Sequence, residues 1–279
     1  MIFISFCLIF FPNFVAYQYN LFRMSKNNQL HTFHIPVMGL AYTIDSPIRV
    51  AKYGISSVIS IMDDELIEKM NAFYSKKFDL PYQEITKKIH DYRAERITSY
   101  LNLVDKIVKE KFENFKTELS ESKSALENYI AMLPNKSEIK IGLQNLLEDG
   151  VAFKENIKSY LEKNLYPGDI DVNIMTKLDK DNFIKDEQLP IAFNDAHAAL
   201  RGFVNSTVES SVVLSAGMNP RLYSYFESFP DFFPDLNNKL RKKITLKVSD
   251  FRSAMIQGNF LAKKGLWVSE YRIESGLNC

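Results

Sequence analysis

A chain of 279 residues, 46% hydrophobic and 25% charged, is long enough for one large domain or two ordinary ones and too apolar for its bulk to stay disordered. Its 35 Lys and Arg against 34 Asp and Glu leave no field to recruit nucleic acid or an anionic membrane surface. Two cysteines at opposite ends, Cys7 and Cys279, make neither a disulfide framework nor a metal cluster, so a reducing, cytoplasmic setting is expected.

Residues 1–22 carry no charge and are dense in Phe, Ile and Leu, but Pro12 and Asn13 interrupt the run. The segment has neither the basic start of a secretory signal nor the unbroken length of a spanning helix. Arg23-Met24-Ser25-Lys26 then reads like an ordinary cytoplasmic start. Residues 1–23 are therefore a doubtful leader with three readings: upstream sequence translated in error, a membrane anchor or weak signal, or a buried segment. Only the second would bring a membrane partner.

Residues 24–62 hold the first strands. HIPVM (34–38) is a short apolar strand ending at Gly39. Ser46-Pro47 opens a helix with Ser46 as N-cap. That helix ends on Gly54, and the strand SSVISI (56–61) follows. Strand, short helix and strand without a hairpin turn imply a parallel pair.

Residues 63–165 change character. Ile97, Leu101, Val104, Val108, Phe112 and Phe115 recur at spacings of three and four, which is one apolar face of a long amphipathic helix. Pro81, Pro134 and Gly150 divide this block into several helices. Asp63-Asp64-Glu65 reads as a helix N-terminus with acidic groups against the dipole, not as a metal site.

Over residues 166–279 the alternation resumes. DIDVNIMTK (169–177), SSVVLSA (210–216), KITLKV (243–248) and LWVSEYRIE (266–274) are strands. Between them lie helices opened around Asn194, by Asn219-Pro220 and by Ser249-Asp250. The sum is α/β: six parallel-type strands interrupted by an all-helical insertion. The chain stops in a Gly-containing loop after its last strand, which suggests a fragment.

In α/β folds, ligands bind at the C-terminal ends of parallel strands. Those ends carry Met38 and Gly39; Ser60; Asn173, Thr176 and Lys177; Ser215, Ala216 and Gly217; Lys247 and Ser249; Glu274, Ser275 and Gly276. Glycines and small residues leave room for a flat ligand, while Asn and Lys suit the polar edge of a heteroaromatic ring. Taken singly, Gly39, Gly217 and Gly276 read first as turn residues that permit positive φ; it is the shared small-polar character of the strand ends that points to a ligand. No glycine-rich nucleotide loop, Gly-x-Ser-x-Gly elbow or metal-type histidine spacing occurs.

These segments resemble the flavin-dependent (β/α)8 barrels of the nitronate monooxygenase family, formerly 2-nitropropane dioxygenases. IPVMG (35–39) and RVAKYGISSVIS (49–60) are similar to the family's opening strand and the stretch after it. DVNIM (171–175) resembles its strand ending in Val-Asn, and SVVLSAG (211–217) its fourth strand. KITLKVSDFRSAMIQGNFLAKKGLWVSEYRIESG (243–276) resembles its fifth strand, helix and sixth strand. The resemblance covers residues 34–61 and 169–279. It implies an incomplete (β/α)8 barrel of about six strands binding flavin mononucleotide (FMN) through Met38, Gly39, Asn173, Ser215, Gly217, Lys247 and Gly276. It implies an oxidoreductase acting on a small-molecule substrate. Lys247 would stabilise the reduced flavin's anion, or else form a salt bridge at the barrel mouth. The chain departs from the pattern in its helical block and in Asn278-Cys279, and no catalytic acid or base is assigned. The alternative is a non-catalytic interaction protein that binds a partner through block 63–165.

Overall fold

The computed structural model describes residues 30–31, 33–39, 43–149, 153–215 and 217–274. The chain enters through helix α1 (Ser46–Val50), a 3-10 turn (Ala51–Tyr53) and strand β1 (Ser57–Ser60). Five helices follow: α2 (Asp64–Lys77), α3 (Tyr92–Glu121), α4 (Lys123–Met132), α5 (Glu138–Asp149) and α6 (Phe153–Asn164). Strand β2 (Ile170–Met175) leads through a small hairpin, β3 (Phe183–Ile184) and β4 (Glu187–Gln188), to α7 (Asp195–Asn205). Next come β5 (Ser211–Ser215), α8 (Pro220–Tyr225), β6 (Lys243–Val248), α9 (Phe251–Ala262) and β7 (Val268–Ile273).

The architecture is α/β. Five strands form one wholly parallel sheet in the order β1-β2-β5-β6-β7, so each long strand lies beside the next one in the chain. Six were expected. The sixth, HIPVM, reduces to a single parallel bridge between Ile35 and Ser57. Ile35 makes both bonds of that bridge, and the Ser60 N–H that would extend the ladder goes instead to the Thr43 carbonyl at 3.3 Å. The expected polar loop after β2 also contains the β3–β4 hairpin, turned at Lys185 with φ 55°.

Local chemistry sets most boundaries. Asp63 caps α2 by accepting from the Leu66 N–H at 2.9 Å. Asn219 accepts from the N–H groups of Arg221 and Leu222, and Asp250 accepts from that of Ser253. The expected cap at Ser46 is displaced by one residue: Asp45 occupies the N-cap and Ser46 is already helical. The Asp45 carboxylate is engaged elsewhere, accepting from the Tyr74 hydroxyl at 2.6 Å and from Arg49 at 2.7 Å.

Alternation along each strand divides the sheet into two unlike faces. Ile59, Val172, Val212 and Ile244 stand in register on one face, with Ile174, Leu214 and Leu246 beside them. They join the main core together with Ile97, Leu101, Val104 and Val108 of α3 and Leu200 and Phe203 of α7. Helices α3 and α7 cross closely at Gly202, where a Cβ would come within 2.8 Å of the Ala94 carbonyl and of Ile97. Ion pairs from Asp64 to Arg93 and Arg96, and from Arg93 to Asp195, tie α2, α3 and α7 together.

Residues 63–165 contain helices and no strand among those described. The apolar stripe of α3 is buried inside the chain along its whole length: its first four positions join the sheet's core, while Phe112 and Phe115 join a second core built with α4–α6. That stripe is therefore not available to a partner. No helix among the described residues is long and apolar enough to cross a membrane; residues 1–22 lie outside them.

Candidate functional site

The second face of the sheet is polar where a doubly covered parallel sheet is ordinarily apolar. One row runs straight across all five strands: Ser60, Asn173, Val213, Thr245 and Glu270, each in register with the next. Beside it Lys247 pairs in register with Arg272, and Val58 with Asp171. Asn173 is 1% exposed and Thr245 0%, yet among the described residues neither amide atom of Asn173, nor the hydroxyls of Ser60 and Thr245, finds a hydrogen-bond partner. Buried polar groups are nearly always paired, so an orphaned set is a mark of unfinished business at this face.

The face is concave. Laid flat, the strands from Ile35 to β7 would span roughly 24 Å at about 4.8 Å each. Yet His34, beside the β1 edge, and Arg272 and Glu274, at the β7 edge, line one small pocket together with Val58, Asn173, Val213 and Lys247. The sheet curls until its two edges face each other, and the space left between them is about that of one water.

Charge in this concavity is organised around Arg272. Its guanidinium grips Glu270 through two hydrogen bonds of 2.9 and 2.7 Å and reaches Asp171 at 3.2 Å. Asp171 also accepts from the Ser211 N–H at 3.1 Å. Burial pushes its carboxyl up to about 6, against the pull of Arg272. Lys247 pairs with Glu274 at 2.9 Å. Burial, with Arg272 behind it, holds the His34 imidazole below its ordinary range, so the ring is neutral near pH 7.

Of the seven strand-end residues singled out from the sequence, Asn173 and Lys247 come together in this pocket. Lys247 takes the salt-bridged form. Met38 does not line the pocket and is 75% exposed. Gly39 has φ 145° and its carbonyl accepts from the Thr43 hydroxyl at 2.7 Å. Ser215 is buried, and its carbonyl receives both the N–H and the hydroxyl of Thr176 at 3.0 Å. Gly217 has φ 100°, and a Cβ there would come within 2.6 Å of the Lys177 side chain. These two positions thus close the turns after β2 and β5. Gly276 lies outside the described residues.

The loops above β2 and β5 are locked by Asp179. It accepts from the Ala196 N–H at 2.9 Å, from the Asn219 amide at 3.1 Å and from His197 at 3.0 Å. Burial alone would raise this carboxyl, but His197, Asn219 and the backbone N–H outweigh it and hold it low. His197, packed against Tyr225 as well, is a structural residue.

Strand-end reasoning missed Asp171, Thr245, Glu270, Arg272 and His34. The signal was in the strands themselves: D-I-D-V-N, I-T-L-K-V and E-Y-R-I-E alternate polar and apolar residues in segments expected to be covered on both faces. No group of three or more His, Cys, Asp or Glu among the described residues is placed to hold a metal. No protein-family model, curated protein or solved structure matches this chain.

Proposed function

We propose that the chain is a flavin-binding oxidoreductase of the nitronate monooxygenase-like type, its parallel sheet being part of a (β/α)8-type barrel. One observation carries the reading: the orphaned amide of Asn173 and the cation of Lys247 meet in one pocket on the concave face. Strand order adds support, because neighbours that follow the chain without a reversal are what barrel winding requires and a doubly wound sheet lacks.

The residues present fit FMN in their chemistry. An amide free at both ends matches a ring edge with donors and acceptors, and a lysine suits a ring that gains negative charge. Asn173 and Lys247 would hold that edge, with Gly39, Ser215 and Gly217 at the neighbouring strand ends. The space between the side chains takes about one water, so the ring would lie over the strand ends. FMN would supply the redox chemistry, and the protein its orientation.

The visible spectrum of the purified chain after saturation with FMN and gel filtration tests this. Retained flavin absorbance, diminished in Asn173→Leu and Lys247→Met, is the expected result. Wild-type chain that releases all its flavin on the column overturns it.

A further inference from the structure

The concave pocket holds more polar capacity than its own residues use. Among the described residues, the N–H2 and the carbonyl of Asn173 have no partner, at 1% exposure. Arg272 bonds through Nε and Nη2, whereas its Nη1 makes no hydrogen bond among the described residues. The Lys247 ammonium lies in the same pocket, as does the neutral His34 ring. Four donors thus converge: two cationic groups, an amide and an imidazole.

The anions facing them are unequal. Asp171 and Glu270 are fixed to Arg272, the former at 3.2 Å and the latter by two bonds. Glu274 follows the end of β7, is 43% exposed through its side chain, and touches only Lys247 among these cations. A partly exposed ion pair of this kind adds little stability, so little opposes its exchange for another anion. Swinging out, Glu274 would leave Lys247 without a counter-ion and open the space its carboxylate fills.

We infer that Asn173, Lys247 and Arg272 form a subsite for the carboxylate group of a small organic acid, and that the Glu274 carboxylate occupies it until the ligand arrives. A planar, two-oxygen group matches the donors: one oxygen toward Lys247, the other toward Arg272 Nη1 and the Asn173 amide. The inference rests on the reading of this concavity as a ligand site but not on flavin: Asn173 and Lys247 can hold a ring edge or this carboxylate, not both at once, and the flavin-free chain is where the carboxylate is read.

Binding of acetate and of inorganic phosphate to the flavin-free chain tests it, by calorimetry and by the side-chain amide signal of Asn173, assigned as the one lost in Asn173→Leu. Glu274→Gln should bind acetate at least tenfold more tightly than wild type and shift that signal. Lys247→Met in the Glu274→Gln background should abolish the gain, and Arg272→Lys should weaken it. Acetate affinity unchanged by Glu274→Gln overturns the inference. So does a gain that survives Lys247→Met. Tighter binding of phosphate than of acetate overturns the carboxylate assignment and points to a phosphate-bearing ligand instead. Because no flavin is present, this outcome is separate from that of the spectral experiment.

Discussion

The two faces of the one sheet are built on opposite principles. On the helix-covered face, Ile59, Val172, Val212, Ile244 and their neighbours are buried, and burial of such side chains stabilises by about 1.5–3 kcal/mol each. On the concave face, one residue along each strand, Ser60, Asn173 and Thr245 are equally buried and leave polar atoms unpaired, which destabilises. A chain selected for stability alone would fill the second face like the first. The difference teaches that the two faces were not filled by one rule, and the proposed ligand site lies on the face that leaves polar atoms over.

Breaking the charge cluster should do the most damage. Arg272→Met would leave the buried Asp171 and the half-buried Glu270 without their cation, a loss of about 3–5 kcal/mol. Urea unfolding measures it; a loss below about 1 kcal/mol would show the cluster to be solvated. Leu246→Ala, on the apolar face, should lower stability by about 2–5 kcal/mol through the cavity it leaves.

A pH effect sharpens the same contrast. The Asp171 carboxyl is raised to about 6 in the fold, against about 3.9 in an unfolded chain. The folded state therefore keeps this proton where the unfolded state has lost it. The contribution to stability is fully present below about 4 and is lost as pH rises through about 6. Urea midpoints of wild type minus those of Asp171→Asn should decline across that window. A flat difference would place the Asp171 titration elsewhere.

The smallest effect is the most telling. Thr245→Val removes an orphaned hydroxyl at nearly constant volume and should change stability by less than about 1 kcal/mol, in the favourable direction. A clear loss would mean that the hydroxyl has a partner. Thr245 and Leu246 are adjacent in the chain; only the face they occupy separates their predicted outcomes.

Much of the fold was legible because its signals are local. KITLKV matches β6 residue for residue, and the other strands agree within two residues at each end. The caps at Asp63, Asn219 and Asp250 need only a side chain and the next turn. The α3 stripe is pure periodicity. The HIPVM strand was cut short by a contact no local pattern shows, the Ser60 N–H going to the Thr43 carbonyl instead of along the ladder. Of the site, the sequence indicated Asn173, Lys247, Ser60 and Glu274 as strand-end residues. It did not indicate Arg272 or Asp171, because mid-strand charges are ordinarily taken as solvent-facing.

What the sequence determined by itself is the succession of elements, their caps and the two-residue alternation that gives every strand two faces. Which face turned inward was a tertiary decision. Alternation fixes that Thr245 and Leu246 point apart, but only the curl of the sheet, bringing His34 and Arg272 into one pocket, makes the polar side an interior. The partners of Lys247 and Arg272 were decided there as well, because Asp171 and Arg272 lie a hundred residues apart and meet only across the concavity.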